Sequence, residues 1–258
     1  MRTHPRAARA AVALLTRLPV GGFPYTAREL RWSAAYLPLV GTAIGAALGG
    51  VWMMTFSRGG GLLAAAMVVA ASLLLTGALH EDGLADTADA LGGGTTREKI
   101  FAILKDSRIG TFGTVALVST LLLRVAALVH LGSAAPASLV LSQAASRAAP
   151  TVLLASLPYV TDSAASKSGA VATAGMAQAS VALLSSLAIA GGVLGAHRLS
   201  SAEIGFALGA AAMTTALAGL RFRARAGGVT GDFLGAAQQL ADCAILVTLA
   251  LAGGARHE

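Results

Sequence analysis

The chain has few charged residues and one cysteine, and both shortages limit what it can be. Only 12% of its 258 residues are charged, whereas soluble domains carry about a quarter, and the mean hydropathy is +0.72. These values exclude an ordinary water-soluble globule. The single cysteine, Cys243, excludes a disulfide within the chain. Aromatic residues make up 5%, so no stacking platform for a large ligand is evident.

Long apolar runs stand where charge is missing. A helix needs roughly 20 apolar residues to span a hydrocarbon core of ~30 Å, and several runs approach that length. We predict an all-α polytopic membrane helical bundle with about seven transmembrane helices, forming a single domain over residues 1–258. The basic, partly apolar segment 1–35 predicts a short amphipathic helix on the membrane surface. The predicted spans are 36–56, 62–79, 109–131, 138–157, 171–195, 204–220 and 236–252.

Basic residues are distributed unevenly between the two sides of this bundle. Fourteen of the 19 Lys and Arg precede the first span or lie in loops 79–108, 158–170 and 221–235, against three in the opposite loops. This asymmetry predicts that the richer side faces the cytoplasm. The net charge of +7 is therefore explained by the orientation of the protein in the membrane. We expect a lipid bilayer rather than nucleic acid as its partner. Homo-oligomerisation stays open.

One short stretch of that side is rich in acids: "LHEDGLADTADALGGG" begins at Leu79. On a helix, Asp82, Asp86 and Asp89 share a wedge of about 60° while Glu81 points about 100° away. Aligned carboxylates repel one another, and hard oxygen ligands suit Mg²⁺. We therefore predict the three aspartates as magnesium ligands, with a solvated acidic helix start as the alternative.

The surroundings of the acids suggest a phosphorylated substrate. Gly83 leaves room for a phosphate to approach the helix, and the three glycines after Leu91 are expected to end it. Lys105, Arg108, Arg147 and Lys167 are the available cations, and Arg147 lies halfway through its span, where an unpaired guanidinium is costly. We expect Arg147 to face the bundle interior and to meet a carboxylate or a phosphate.

Two loops could present backbone amides to an anion. Ser107 precedes the third span and is placed to cap it, which would turn the helix amides toward a phosphate. The loop "GGVTGD" that ends at Asp232 offers an amide nest and a further metal ligand. The alternatives are membrane-interface anchoring for Lys105 and Arg108, and a plain turn for the glycine loop.

"TGALHEDGLADTADALGGG", followed closely by "ILKDSRIGTFG", resembles the cobalamin synthase family of adenosylcobinamide-GDP ribazoletransferases. "LLTRLPVG", "YLPLVGTAIG", "SRAAP", "ASLPY" and "GGVTGDFLGAA" also resemble family segments in the expected order. The resemblance implies an Mg²⁺-dependent transferase of the bacterial cytoplasmic (inner) membrane, with its active site facing the cytoplasm. It would join adenosylcobinamide-GDP to alpha-ribazole, or its 5'-phosphate, releasing GMP and giving adenosylcobalamin or its 5'-phosphate late in cobalamin biosynthesis.

The resemblance also assigns roles to residues of this chain. It implies Asp232 as a metal ligand beside the three aspartates. If the attacking group is a hydroxyl it needs a base, for which we predict Asp89, with Asp86 second. Glu81 stands where the family usually has an apolar residue and is expected to be a bystander. Gln239 and Asp242 replace two glutamates. The implied substrate-binding residues are Lys105, Asp106, Ser107, Arg108, Arg147, Thr230 and Gly231.

Two other functions compete with this one. A CDP-alcohol phosphotransferase-like lipid enzyme uses similar spaced aspartates, but its motif would continue differently after Gly83, where this chain reads Leu84-Ala85-Asp86. A cation-coupled transporter would place its ionisable groups at mid-membrane and use both faces. The concentration of polar residues on one face argues against the transporter.

Overall fold

The computed structural model describes residues 3–160, 171–196 and 198–253. Within these ranges the chain is helical with no named strand, which confirms the all-α prediction. Lys167 lies outside the described residues. The α-helices, numbered in chain order, are α1 Thr3–Leu15, α2 Ala27–Thr76, α3 Leu79–Gly93, α4 Arg97–Leu104, α5 Thr111–Leu131, α6 Ala135–Ala145, α7 Ala148–Ser156, α8 Met176–Gly195, α9 Ser201–Ala226 and α10 Gly231–Gly253.

Five helical stretches among the described residues are long and apolar enough to cross a membrane, which confirms the membrane bundle. Two of them, Ala27–Thr76 with 50 residues and Thr111–Ser156 with 46, each contain two of the predicted spans. The count of seven crossings stays a prediction. The other three stretches are α8, α9 and α10.

The 50-residue helix α2 is interrupted. At 1.5 Å per residue it would extend about 75 Å if straight, but Gly60 has φ 72° and ψ 177° and breaks the helix. Both ends of α2 return to the N-terminal segment, because Arg6 contacts Glu29 near its start and the Arg17 amide donates to the Leu75 carbonyl near its end, at 2.8 Å. The helix is therefore folded back on itself around Gly60.

The predicted N-terminal segment 1–35 contains the helix α1, and its last residues belong to α2. Helix α2 begins at Ala27, where Thr26 and Glu29 form a capping box. The apolar residues Ala11 and Leu15 of α1 are buried in the protein core. The position of α1 on the membrane surface stays a prediction.

Small residues allow α2 and α6 to pack closely. A Cβ on Gly45 would lie 2.5 Å from the Leu139 carbonyl oxygen, and one on Gly49 would lie 3.3 Å from Pro136. Because the contacts on α6 run backwards as those on α2 advance, the two helices are antiparallel. The glycines of α2 therefore allow the close helix contact that small residues give to membrane helices.

Loops that are distant in sequence meet at one end of the bundle. The Arg225 guanidinium donates to the Gly94 carbonyl, and the Val229 amide donates to the Pro158 carbonyl at 2.9 Å. The Gly110 amide reaches the Asp89 carboxylate. The described parts of the loops assigned to the cytoplasmic side therefore form one polar surface around α3.

Candidate functional site

Helix α3 carries the acid cluster at this end of the bundle. Two consecutive left-handed residues, Gly77 (φ 68°) and Ala78 (φ 56°), turn the chain sharply between α2 and α3. On α3, Asp82 is exposed, and Asp86 and Asp89 are half-buried. The aspartates thus occupy the accessible side of the helix.

Gly83 serves helix packing and not phosphate access. It is buried, and a Cβ there would lie 2.8 Å from the Asp232 carbonyl oxygen. Gly235 faces His80 in the same interface, where a Cβ would lie 3.4 Å from the His80 Cα. The expected phosphate approach at Gly83 is therefore wrong, because the first turn of α10 fills that space. The same packing brings Asp232 beside the acids of α3.

The pKa of Asp86 responds to this crowding of carboxylates. Burial and, after it, the neighbouring charges of Asp82, Asp232 and Asp89 together raise the pKa of Asp86 to about 6. None of these four carboxylates forms an ion pair with a basic side chain of the described residues. The cluster lacks a compensating positive charge from the part of the chain that the structure describes.

The donor set of this cluster fits magnesium. No three His, Cys, Asp or Glu side chains in the described ranges converge as a ready-made metal site. Mg²⁺, however, is usually held by one or two carboxylates together with waters and substrate phosphates. Asp82 and Asp232 supply two carboxylates without a protein cation nearby, and this arrangement matches that requirement.

Asp89 has a second role that sequence analysis missed. Its Oδ2 accepts a hydrogen bond from the Gly110 amide at 2.7 Å, and its Oδ1 accepts one from the Gly113 amide at 2.8 Å. The carboxylate thus caps α5, whose N-cap residue is Gly110. The expectation that Ser107 caps this helix is wrong. The glycine at position 110 is required because a Cβ there would lie 2.6 Å from the Asp89 carboxylate.

The predicted substrate-binding residues before α5 lie on an exposed loop. Lys105, Ser107 and Arg108 are exposed and Asp106 is half-buried. The Arg108 Nε and Nη2 donate to both oxygens of Asp106, at 3.0 and 2.7 Å. This guanidinium holds the pKa of Asp106 at about 2. The loop therefore offers Lys105 as its unpaired cation, with Arg108 neutralised by Asp106.

The glycine loop before α10 is a capping structure. The Thr230 hydroxyl accepts the Phe233 amide at 3.2 Å, and the Gly227 and Val229 amides donate to carbonyls of the Arg223 and Pro158 residues. The amide nest proposed for phosphate is therefore wrong for these two amides, because the protein already satisfies them.

A cavity of about 190 Å³ opens beside the acids. Asp82, Asp232 and Gly231 contribute its polar edge. Residues of α1, α2, α7 and α10 supply apolar walls. A site with carboxylates at its edge and apolar walls can hold a charged group and an apolar group of one ligand together. The apolar walls include Leu14, Leu15, Leu37, Pro150, Leu154 and Leu234.

The structure does not bring Arg147 to this cavity. Arg147 is 2% exposed, and its Nη1 donates to the backbone and side-chain oxygens of Gln143 at 2.7 and 2.8 Å. The expectation that it faces the bundle interior is confirmed. Its predicted contact with substrate finds no support in this position, because the group is enclosed by α2 and α6.

Arg147 belongs to a buried polar network, which sequence analysis also missed. Arg124 lies 3.3 Å from Glu81 and 3.3 Å from Asp242. Gln143 donates to Asp242 at 2.8 Å, and Gln239 donates to Glu81 at 3.0 Å. Glu81 is therefore not a bystander, because it anchors α3 to α5 and α10. The only sign of this network in the sequence was the presence of polar residues inside otherwise apolar runs.

Comparisons with known proteins agree on one family. A family model described as cobalamin-5-phosphate synthase matches residues 7–250. An adenosylcobinamide-GDP ribazoletransferase of Vibrio cholerae is 38% identical over 96% of this chain and 94% of its own length. Those of Leptothrix cholodnii and Azorhizobium caulinodans are 40% and 41% identical, covering 91% and 92% of this chain and 90% and 92% of their own. No solved structure matches the chain.

Proposed function

The chain belongs to the cobalamin-5-phosphate synthase family, and we propose that it transfers the adenosylcobinamide phosphoryl group from adenosylcobinamide-GDP to alpha-ribazole or its 5'-phosphate. The products are adenosylcobalamin, or its 5'-phosphate, and GMP. The observation that carries the proposal is that Asp82 and Asp232, from motifs distant in sequence, line one cavity, with Asp86 and Asp89 close enough to interact electrostatically with this pair. The relatives named for this reaction match nearly the whole chain.

Asp82 and Asp232 would hold magnesium, since both residues line the cavity and neither has a cationic partner among the described residues. When bound there, the ion would neutralise negative charge on the diphosphate and on the departing GMP. Phosphoryl transfer relies mainly on positioning and charge neutralisation. The two unpaired carboxylates would hold the ion that neutralises the diphosphate. The apolar pocket beside them would position part of the bulky group to which the diphosphate is attached.

The attacking group is a hydroxyl of the ribazole. Because the alternative product keeps its 5'-phosphate, the nucleophile is a hydroxyl other than the one that bears this phosphate. A new bond forms between this oxygen and the phosphorus on the cobinamide side, while the bond from that phosphorus to the GMP oxygen breaks. The hydroxyl loses its proton, so a base is needed.

The geometry favours Asp86 over Asp89 as that base. Asp89 already accepts one backbone amide on each of its two oxygens, so both oxygens are engaged in holding the start of α5. Asp86 lies one helical turn from Asp82 and accepts no hydrogen bond from a described residue. Asp89 then positions the α5 loop, while Asp86 takes the proton.

Lys105 is the unpaired cation of the loop before α5 and would bind the remaining phosphate oxygens, since Arg108 is paired with Asp106. In our proposal this surface lies on the cytoplasmic side of the bacterial inner membrane, because the loops rich in Lys and Arg are on this side. The apolar cavity walls would take an apolar part of one substrate.

The reaction can be tested in membranes that contain the protein. Adenosylcobinamide-GDP, Mg²⁺ and either alpha-ribazole or its 5'-phosphate are added, and GMP and the corrinoid product are measured. We expect equal amounts of GMP and product, and no GMP without the ribazole. Asp86→Asn, inserted to the same level, is the matched control and should be inactive. GMP release without a corrinoid product would refute the transfer.

A further inference from the structure

A second cavity, larger than the site cavity, lies between α7, α8 and α9. It measures about 600 Å³ and is almost entirely apolar. Ala212, Ala216 and Arg223 of α9 lie along one of its sides at the spacing of a single helix face. Val152 and Leu187 contribute the facing walls from α7 and α8. The proposed reaction makes no use of this cavity.

The cavity is a groove that opens on the outside of the bundle. Ala212 and Ala216 are exposed although they line it, and Leu187 is 57% exposed. Helices α8 and α9 are both candidate membrane spans, so the opening faces the region that lipid occupies. An apolar groove in that region is filled by hydrocarbon chains.

The length of the groove suits one lipid chain. Its lining runs along α9 from Leu208 to Arg223, a distance of about 22 Å at 1.5 Å per residue. One leaflet of a bilayer contributes ~15 Å of hydrocarbon, half of the ~30 Å core. An extended acyl chain from one leaflet therefore fits along α9 with its head group at the Arg223 end.

Arg223 determines which head group fits. It lies in the last turn of α9, is exposed, and forms no ion pair with any residue in the described ranges. A guanidinium binds phosphate oxygens through two parallel hydrogen bonds. From the apolar groove and its single cation we infer that this site binds one anionic phospholipid, with an acyl chain along α9 and the phosphate at Arg223.

The first test compares two arginines of the same helix end. The full chain is reconstituted in nanodiscs of phosphatidylcholine mixed with phosphatidylglycerol, and retained lipids are counted by native mass spectrometry. We expect one phosphatidylglycerol to be retained in preference to phosphatidylcholine. Arg223→Gln should reduce this preference about fivefold, as expected for one basic residue at an anionic surface. Arg221→Gln, exposed but outside the groove, should leave it unchanged.

The second test fills the groove. Ala216→Phe places a ring in it, whereas Leu217→Phe changes the adjacent exposed residue, which does not line it. Both variants should elute as folded protein, and Ala216→Phe alone should lose the retained lipid. Equal retention of the two lipids by the wild type, or equal losses in both arginine variants, would overturn the inference. A dimer that Ala216→Phe dissociates would assign the groove to a second copy and overturn it too.

Discussion

Removing Arg124 is expected to destabilise the protein more than removing any exposed cation. Arg124 is 1% exposed and lies 3.3 Å from both Glu81 and Asp242. The network holds two carboxylates and two guanidinium groups, the second being Arg147. Arg124→Gln therefore leaves two buried carboxylates with one buried cation.

The magnitude follows from this charge balance. Removing one partner of a buried ion pair costs about 3–5 kcal/mol of unfolding free energy. For a chain of this size that is roughly 6–20 °C in the midpoint of thermal unfolding, at ~2–4 °C per kcal/mol. Adding Glu81→Gln to Arg124→Gln restores neutrality, because Arg147 and Asp242 remain. The double variant should recover at least half of the loss.

The assay heats purified protein in one detergent and measures the folded fraction by gel filtration. Arg221→Gln is the control, since Arg221 is exposed and lies outside the network, and its midpoint should equal that of the wild type. An Arg124→Gln midpoint at the wild-type value would refute the electrostatic reasoning. So would a double variant that loses the sum of the two single losses, since that result would mean that charge balance contributes nothing.

Three further predictions concern α3. In the transfer assay, Asp82→Asn should raise the Mg²⁺ concentration for half-maximal activity by more than ~10-fold, whereas Asp86→Asn should lower turnover ~10²–10⁴-fold at an unchanged Mg²⁺ requirement. Asp89→Asn should remove about 0.5–2 kcal/mol of capping energy from α5, measured as faster hydrogen exchange at its first turn. Gly83→Ala should lower the unfolding free energy by about 1–3 kcal/mol, while Gly93→Ala, where a Cβ would make an ordinary contact with the Ile103 side chain at 3.5 Å, should not, as thermal unfolding would show.

The sequence allowed the helices and one functional surface to be predicted because both depend on local patterns. Apolar runs located the membrane helices, and the spacing of Asp82, Asp86 and Asp89 located the acid surface. The start of α2 was also readable, since Thr26 and Glu29 form a local capping box.

The remaining errors involve partners that are far apart in the chain. Asp89 caps a helix that begins 21 residues later, and no local pattern predicts such a pairing. In the sequence, a glycine at position 83 is compatible with the approach of either a phosphate or another helix. Only the tertiary structure shows that α10 packs there, with Asp232 against Gly83. Arg147 was correctly placed in the interior, but the sequence could not show that its partner Gln143 would in turn bind Asp242, 99 residues later.

The position of the proposed chemistry follows from how α3 is held. Its inward side is tied to α5 and α10 by Glu81, its flank at Gly83 is closed by α10, and its last turns are fixed to α5 by Asp89. Three sides of a 15-residue helix are therefore committed to packing. Asp82 and Asp86 lie on the side that remains. The helix cannot rotate without breaking all three contacts, so Asp82 and Asp86 cannot move apart to relieve their mutual repulsion. A bound cation would relieve it instead, and the two carboxylates therefore favour cation binding.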